Sequence, residues 1–492
     1  MQSIWNLGSE MPHFEPLTTD ATADVAIIGG GLFGILTAYQ LKKRGIHALV
    51  LEADELGSGT TGGSTAKITA QHGLIYHKLI DKFGKEKARQ YARANTQAIA
   101  AYRELIEAEG IDCDFAECSS YLYSRDGLSK LRDEADAAKK LGLEAELAKV
   151  LKLPFEVEGA LRFPKQGRFH PLKFLYALAQ RGLDIRTNTR VVKVEENTLI
   201  CENGIKVSAK HIVFACRYPI VNVPGYYFLR MSQQRSFAIA IAGAPALGGI
   251  YKDMEDGGLS LRSAYHPKYG DVLIMAAYDI RSGKNTHEGR YRELFDQARG
   301  FYPGCELVAK WSAQDARSVD EVPYIGRFSE STPHHYVAAG FNKWGITHAM
   351  IASRMISDMI EGRDVSPGIY DPSRFELGPS VKNLAGDVGN TVKGLAKELL
   401  MPPDEKLAHI ERGEAGIVEH SGEKLGVYRD ERGKAHIISS RCPHLGCRLE
   451  WNPDDKVWEC PCHGSSLDVD GHILSAPTVK RAGMQGAPPS TP

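Results

Sequence analysis

The hydrophobic pattern of the chain changes period several times. Residues 25–28, "VAII", form a short apolar run that stops at three glycines. From Phe33 to Gly45 the apolar positions have helical length and a closing glycine, and residues 47–52, "HALVLE", form a second short apolar run. This predicts strand, tight turn, helix, strand: a βαβ unit opening an α/β domain. Between Lys85 and Glu109, Tyr91, Ala94, Ala98, Tyr102 and Leu105 share one face of a charged helical pattern. Residues 117–125, 184–197, 198–216 and 270–280 read as strands and hairpins that follow one another directly. A parallel nucleotide-binding sheet joined to a second, mostly antiparallel sheet is expected.

Residues 344–362 predict a strongly apolar helix ending in glycine, and the turn-forming stretch after it marks a domain boundary. Within 383–400, Leu384, Val388, Val392, Leu395 and Leu399 keep helical spacing but share the segment with three glycines. It reads as a connector docked along the first domain. Short strands then recur at 413–420, 423–430 and 434–440, the pattern of a small all-β module. The expected division is a first domain at 1–370, a connector at 371–407, the β module at 408–482 and a disordered tail at 483–492.

Composition narrows the function. Net charge is -1 and the pI about 7.0, which leaves no electrostatic case for nucleic acid or an anionic membrane surface. The start lacks a basic region followed by an apolar run, and the apolar stretches 23–39 and 237–251 are cut by glycines or proline. A cytoplasmic protein without an integral membrane segment is expected.

Gly29, Gly31 and Gly34 form G-x-G-x-x-G between the first strand and its helix. The first allows the turn, the second lets backbone approach a pyrophosphate at the helix N-terminus, and the third lets helix and strand pack closely. Glu52, ending the second strand, is spaced to accept from a ribose diol. FAD and NAD both suit this unit; the glycine-, serine- and threonine-rich loop at 55–73 favours a wrapped pyrophosphate leading to a flavin.

With "TRVVKVEEN", "KHIVFAC", "WSAQDARSVDEVPYIG" and "VAAGFNKWGITHAMIAS", residues 20–365 resemble the D-amino-acid-oxidase-like FAD-dependent oxidoreductases of the glycine and sarcosine oxidase type. The resemblance implies that 1–370 is an FAD-dependent oxidoreductase domain with interleaved FAD-binding and substrate subdomains. It implies adenine contact by the Val192 backbone. It also implies a helix N-terminus at Gly345, Ile346 and Thr347, beside Trp344, under the flavin pyrimidine. No second glycine fingerprint follows a strand, so electrons come from an organic substrate. Amino-acid oxidases of this type carry an arginine that clamps the substrate carboxylate; here Asp315 stands in its place. Asp315 either faces a cationic amine or is a structural carboxylate. His72 and Lys67 lie on the loop reaching toward the flavin, as bases, flavin links or plain binders of phosphate and backbone.

Of nine cysteines, Cys113, Cys118, Cys201, Cys216 and Cys305 are scattered as buried hydrophobes. The other four cluster at the C-terminal end. Cys442, His444, Cys460 and His463 form C-x-H…C-x-x-H, which suits a closed zinc site or a [2Fe–2S] centre. The flanking "CPHLGC" and "CPCHGS" make residues 408–481 resemble Rieske domains, especially the disulfide-bearing kind of quinol-oxidising complexes. That resemblance implies Cys442 and Cys460 on one iron, His444 and His463 on the other, and a Cys447–Cys462 bridge. Ser465 matches the position that hydrogen-bonds a bridging sulfide; Leu467 replaces a tyrosine found in high-potential members, which implies a lower potential. The histidine edge is expected as an exposed electron port. The whole reads as an FAD-dependent dehydrogenase that oxidises a small organic substrate, an amine above others. Its electrons pass singly through the cluster to an acceptor protein or quinone. Reverse flow from cluster to flavin, and a redox-sensing module without turnover, are the alternatives.

Overall fold

The computed structural model describes residues 2–149, 151–374, 410–420 and 422–483. The connector's helical run at 383–400 and the tail from 484 onward lie outside the described residues. By their contacts the residues form two compact units. The first comprises Met1–Arg217, Ser236–Asp279 and Arg290–Phe375, and the second Tyr218–Arg235, Ile280–Gly289 and Glu376–Pro492. Two mid-chain segments thus belong with the C-terminal β module.

The first unit holds the βαβ opening: strand Ala21–Ile28, helix Leu32–Lys43, strand Ala48–Leu51. Strand Ala21–Ile28 pairs in parallel with Ala48–Leu51 on one side and Lys206–Phe214 on the other. The eight-stranded sheet runs Tyr324–Arg327, His335–Ala339, Lys206–Phe214, Ala21–Ile28, Ala48–Leu51, Asp184–Arg186, with the hairpin Val191–Glu195 and Thr198–Cys201 joined to Lys206–Phe214. Helix Leu32–Lys43 is buried over nearly its whole length, which is why its sequence is apolar all round. Helix Tyr76–Glu109 extends farther back than its pattern predicts and breaks direction at Gly84, whose φ is +79°.

The second sheet has nine strands: Glu306–Ser318, Met231–Ala242, Gly270–Arg281, Ser260–His266, Ile250–Asp253, Ala116–Ser124, Gly159–Arg168 and Lys67–Ile68 in order, with Glu146–Ala148 beside Gly159–Arg168. From Gly270–Arg281 across to Lys67–Ile68 and Glu146–Ala148 its strands pair antiparallel, apart from the parallel pair Ile250–Asp253 with Ala116–Ser124. Among the described residues no helix is long and apolar enough to cross a membrane.

The second unit stacks two small antiparallel sheets. One contains Ala415–His420, Glu423–Arg429 and Ala435–Ser439; the other Glu450–Asn452, Val457–Glu459, Ser466–Leu467 and Ile473–Ser475. Ile417, Ile438, Leu449, Trp458, Leu467 and Ile473 form a core into which Cys442, Cys447, Cys460 and Cys462 are built.

Candidate redox sites

The turn between strand Ala21–Ile28 and helix Leu32–Lys43 needs its glycines. Gly29 has φ +114°, and a Cβ there meets the Ala215 carbonyl oxygen at 2.7 Å; a Cβ on Gly34 meets the Gly29 carbonyl oxygen at 2.0 Å. Both are backbone clashes, so the helix reaches the strand only without side chains here. Gly31 is the helix N-cap, and nothing but Thr61 Oγ1, at 3.4 Å, faces its missing Cβ. Glu52 Oε2 accepts from Gly30 N at 2.6 Å and Oε1 from Asp54 N at 3.1 Å. Burial raises its carboxyl pKa against the pull of these donors.

Val192 sits at a β-bulge: Val191 pairs with Cys201 and Lys193 with Ile200, leaving Val192 without a cross-strand partner. Gly345, Ile346 and Thr347 form the first turn of helix Gly345–Ile360, capped by Trp344. This turn has unsatisfied N–H groups and the positive end of the helix dipole. Tyr102 O–H donates to the Ile346 carbonyl at 2.8 Å and holds the turn in place.

Around the long loop, His72 is buried, stacked on Trp344 with ring centroids 4.5 Å apart. Nδ1 lies 2.7 Å from Tyr91 O–H and Nε2 2.7 Å from the Thr69 carbonyl. A carbonyl only accepts, so Nε2 carries the hydrogen and Nδ1 receives the tyrosine's. Burial and nearby His348 hold this imidazole neutral, well below its ordinary pKa. Both nitrogens are engaged in the fold, and His72 is not placed as a base.

Lys67 is different. Its Nζ bonds Ser260 Oγ. Burial, with Lys252, Arg262 and Lys343 around it, brings its pKa down to about 7. Ser260 is in turn the cross-strand partner of Lys252, whose own pKa is lowered to about 8, mainly by burial. Lys343 donates to Ser236 Oγ at 3.0 Å and pairs with Asp279 at 3.3 Å; Arg317 takes the other Asp279 oxygen at 2.7 Å. Asp315, half-buried, is raised to about 6 by burial and Asp279, against Lys343, Arg217 and Arg317. Lys343 is thus the charge that Lys67 and Asp315 both sense.

In the second unit the two cysteine-rich loops follow one hydrogen-bond plan. Cys442 O accepts from Gly446 N at 2.9 Å and Cys460 O from Gly464 N at 2.8 Å. Cys442 N donates to Cys447 O and Cys460 N to Ser465 O, both at 2.8 Å. Gly446 and Gly464 take positive φ, +80° and +75°. The pattern makes Cys442 and Cys460 equivalent positions of the two loops. Cys447 and Cys462 are joined, their Cα atoms 6.6 Å apart. The sulfurs of Cys447, Cys460 and Cys462 lie within 4.8 Å of one another.

Cys442 and Cys460 are buried free thiols, and hydrogen bonding between them pulls Cys442 below the ordinary thiol range. The His444 and His463 rings stand edge to face, 5.0 Å between centroids. Burial brings His444 down to about 4; burial, His444 and the Arg281 guanidinium bring His463 to about 3. Both are neutral near pH 7, as ligands must be. His444 Nδ1 is buried without a hydrogen-bond partner, and the buried His463 ring has no side-chain partner, only the Phe228 backbone beside it. Two thiols and these two imidazoles fit a [2Fe–2S] centre with unlike irons. Ser465 is buried, its Oγ accepting from Thr478 N at 3.1 Å and its hydroxyl bonded to Cys442.

The expected exposed histidine edge is not found. His463 is 1% exposed, its ring edge to face with that of Phe228, 5.7 Å between centroids. His444 Nε2 is taken by Asn222 Oδ1 at 2.8 Å. Gln233 Nε2 donates to His463 O at 2.7 Å, while Arg281 donates to Pro461 O at 3.0 Å and Cys462 O at 3.1 Å. Asn222, Phe228, Gln233 and Arg281 come from the two mid-chain segments of this unit. Nothing in the Cys/His pattern points to residues about 160 to 240 positions away.

A family model described as FAD dependent oxidoreductase matches residues 24–359, and a Rieske [2Fe-2S] domain model matches 402–487. YhfW of Bacillus subtilis (strain 168), described as a Rieske 2Fe-2S iron-sulfur protein, is 34% identical over 97% of this chain and 96% of its own length. Gamma-glutamylputrescine oxidoreductase of Escherichia coli (strain K12) is 20% identical over 77% of this chain and 91% of its own. Among solved structures, glycine oxidase from Geobacillus kaustophilus superposes with a TM-score of 0.61 at 18% identity, covering 72% of this chain and all of that one. Its likeness is one of fold. FAD and a [2Fe–2S] cluster are the cofactors that these matches indicate.

Proposed function

The chain belongs to the FAD-dependent oxidoreductase family and carries a C-terminal Rieske [2Fe–2S] domain, and from that premise we propose that it oxidises a small amine and releases the electrons one at a time. Bound FAD supplies a two-electron hydride acceptor, and the cluster a one-electron carrier. We assign Gly29, Gly31, Gly34, Glu52, Val192, Gly345, Ile346 and Thr347 to FAD, Cys442, His444, Cys460 and His463 to the cluster, and Cys447–Cys462 to bracing it.

The single observation that carries the amine reading is the half-buried carboxylate of Asp315, at the position where the sequence resemblance puts the carboxylate-binding arginine of amino-acid oxidases. An anion there attracts an ammonium and repels a carboxylate. Hydride loss requires the neutral amine, and Lys67, with a pKa near 7, is matched to take the ammonium proton. Asp315 holds and orients; Lys67 moves the proton. The name of the Escherichia coli relative, an oxidoreductase of an amine-bearing compound, agrees with this reading.

The domain bounds proposed from sequence, 1–370 and 408–482, bracket these assignments. A one-electron acceptor protein or quinone completes the scheme, in the cytoplasm. Anaerobic addition of amines, amino acids and hydroxy acids tests it: bleaching of flavin absorbance followed by loss of the oxidised cluster's visible circular dichroism is expected with amines. Bleaching by hydroxy acids alone overturns the amine assignment. No response to any organic reductant, with cluster-to-flavin transfer from dithionite, favours the reverse direction.

A further inference from the structure

We infer that Asn222 is a positioning residue for the iron–sulfur site, holding His444 in the one tautomer that presents Nδ1 to iron and strengthening that ligand's electron donation. This inference goes beyond the proposed function and is independent of the substrate taken on the flavin side.

Asn222 Oδ1 lies 2.8 Å from His444 Nε2. A carbonyl oxygen accepts and cannot donate, so Nε2 carries the ring hydrogen. A neutral imidazole has one N–H, which leaves the lone pair on Nδ1. Nδ1 is the atom found buried with no partner. Were the amide turned so that its NH2 faced the ring, the hydrogen would move to Nδ1 and block the metal. The hydrogen bond and the ligand atom therefore specify each other.

The segment that presents Asn222 is itself pinned. Tyr226 N donates to Asn222 O at 2.8 Å, closing a turn around it. Buried Arg230 donates to Gly225 O and lies 4.4 Å over the Tyr227 ring. Gln233, farther along the segment, holds the carbonyl of His463. An acceptor carried on so many supports has a fixed direction. The second histidine has no side-chain acceptor: the Phe228 backbone is the polar group its ring meets, and the Phe228 and His463 rings stand edge to face. The two imidazoles are thus unequal, one held by a side-chain amide and the other set against backbone and an aromatic ring.

An acceptor on the remote N–H makes an imidazole a stronger donor to its metal. Stronger donation stabilises the oxidised, more positive cluster and lowers its midpoint potential. Removing the acceptor raises the potential; replacing it with an anionic acceptor lowers it further.

The test uses the full-length holoprotein and its Asn222→Leu and Asn222→Asp variants. Midpoint potentials are read by redox titration of the cluster's electron paramagnetic resonance signal, with iron and flavin content measured in each. Nitrogen couplings of the remote histidine nitrogen are read by pulsed spectroscopy of the same samples. The expected order of potential is Asn222→Leu highest, wild type between and Asn222→Asp lowest. Flavin content and flavin potential stay unchanged. The comparison of leucine with asparagine involves no change of charge and isolates the hydrogen bond. A remote-nitrogen coupling that moves in Asn222→Leu is expected with it. Equal potentials in leucine and wild type, or the reverse order, overturn the proposal. If Asn222→Leu fails to hold iron, the isosteric Asn222→Asp decides: an unchanged or raised potential together with an unmoved nitrogen coupling overturns it.

Discussion

Arg235 offers the most direct measure of how the mid-chain segments hold the iron–sulfur unit. Its guanidinium pairs with Asp455 at 3.1 Å and with Glu459, whose side chain is fully buried; Arg235 itself is 10% exposed. Arg235→Met keeps the aliphatic length and removes the charge. Two buried carboxylates then face each other, helped by Gly283 N on Glu459 Oε2 at 2.8 Å and by the Asn452 amide. Stripping one partner from a buried pair costs roughly 3–5 kcal/mol, and these remaining donors place the loss near the lower end. With a urea dependence of about 2 kcal/mol per molar for a unit of this size, the midpoint falls by roughly 1.5 M. The assay is urea titration of the holoprotein, followed by the cluster's visible circular dichroism. Adding Glu459→Gln to Arg235→Met removes one stranded charge, and part of the loss returns. A midpoint shift below about 0.5 M, or a double variant no better than the single, refutes the account of a buried pair whose anions depend on Arg235.

Other outcomes follow from the remaining geometry. Gly34→Ala drives a Cβ into the Gly29 carbonyl oxygen, so both thermal stability and flavin content fall. Gly31→Ala meets only Thr61 Oγ1, so it lowers flavin content while thermal stability of the apoprotein holds; calorimetry and absorbance at the flavin band separate the two. The kcat/KM for amines rises with pH through about 6 as Asp315 ionises beside Lys343, Asp279, Arg217 and Arg317, and again through about 7 as Lys67 loses its proton; Asp315→Asn removes the lower limb and leaves the upper one. Leu467 is fully buried and has no hydroxyl to offer a ligand sulfur, so redox titration gives a potential below that of quinol-oxidising Rieske proteins; a value at the top of the Rieske range contradicts this.

What the sequence discloses is what the chain builds locally. The glycine fingerprint, Glu52 and the helix after Trp344 depend on neighbours a few positions away; the fingerprint and the helix occupy the elements their patterns predict, and Glu52 falls one residue past the strand it was expected to end. The paired cysteine loops are equally legible, because their turns close within five residues. Helix Ser129–Lys140 leaves a weaker trace, its buried face being mostly alanine with Glu134 among them. Glu134 accepts from Tyr76 N and His77 N at the start of another helix, a role no periodicity discloses. Val192 is marked by resemblance, while the bulge at its position depends on a register shift against residues 200 and 201. The expectation of an open histidine edge fails for the same reason of distance. Asn222, Phe228, Gln233 and Arg281 reach the site across roughly half the length of the chain, and their spacing to the ligands carries no signal. His72, read as a candidate base, has its nitrogens taken by Tyr91 and Thr69, partners that folding alone brings together.

The membership of residues 218–235 and 280–289 in the second unit bears on how such proteins can be taken apart. Cutting the chain after the connector removes Arg235 from Glu459, Gln233 and Arg281 from the carbonyls of 461–463, and Asn285 from Asn452 and Asp454. The excised tail is left with unanswered carboxylates and carbonyls along its cluster loops. A graft of this module onto another flavoenzyme therefore has to carry three pieces of polypeptide, and gene fusion at a single junction transfers only one of them.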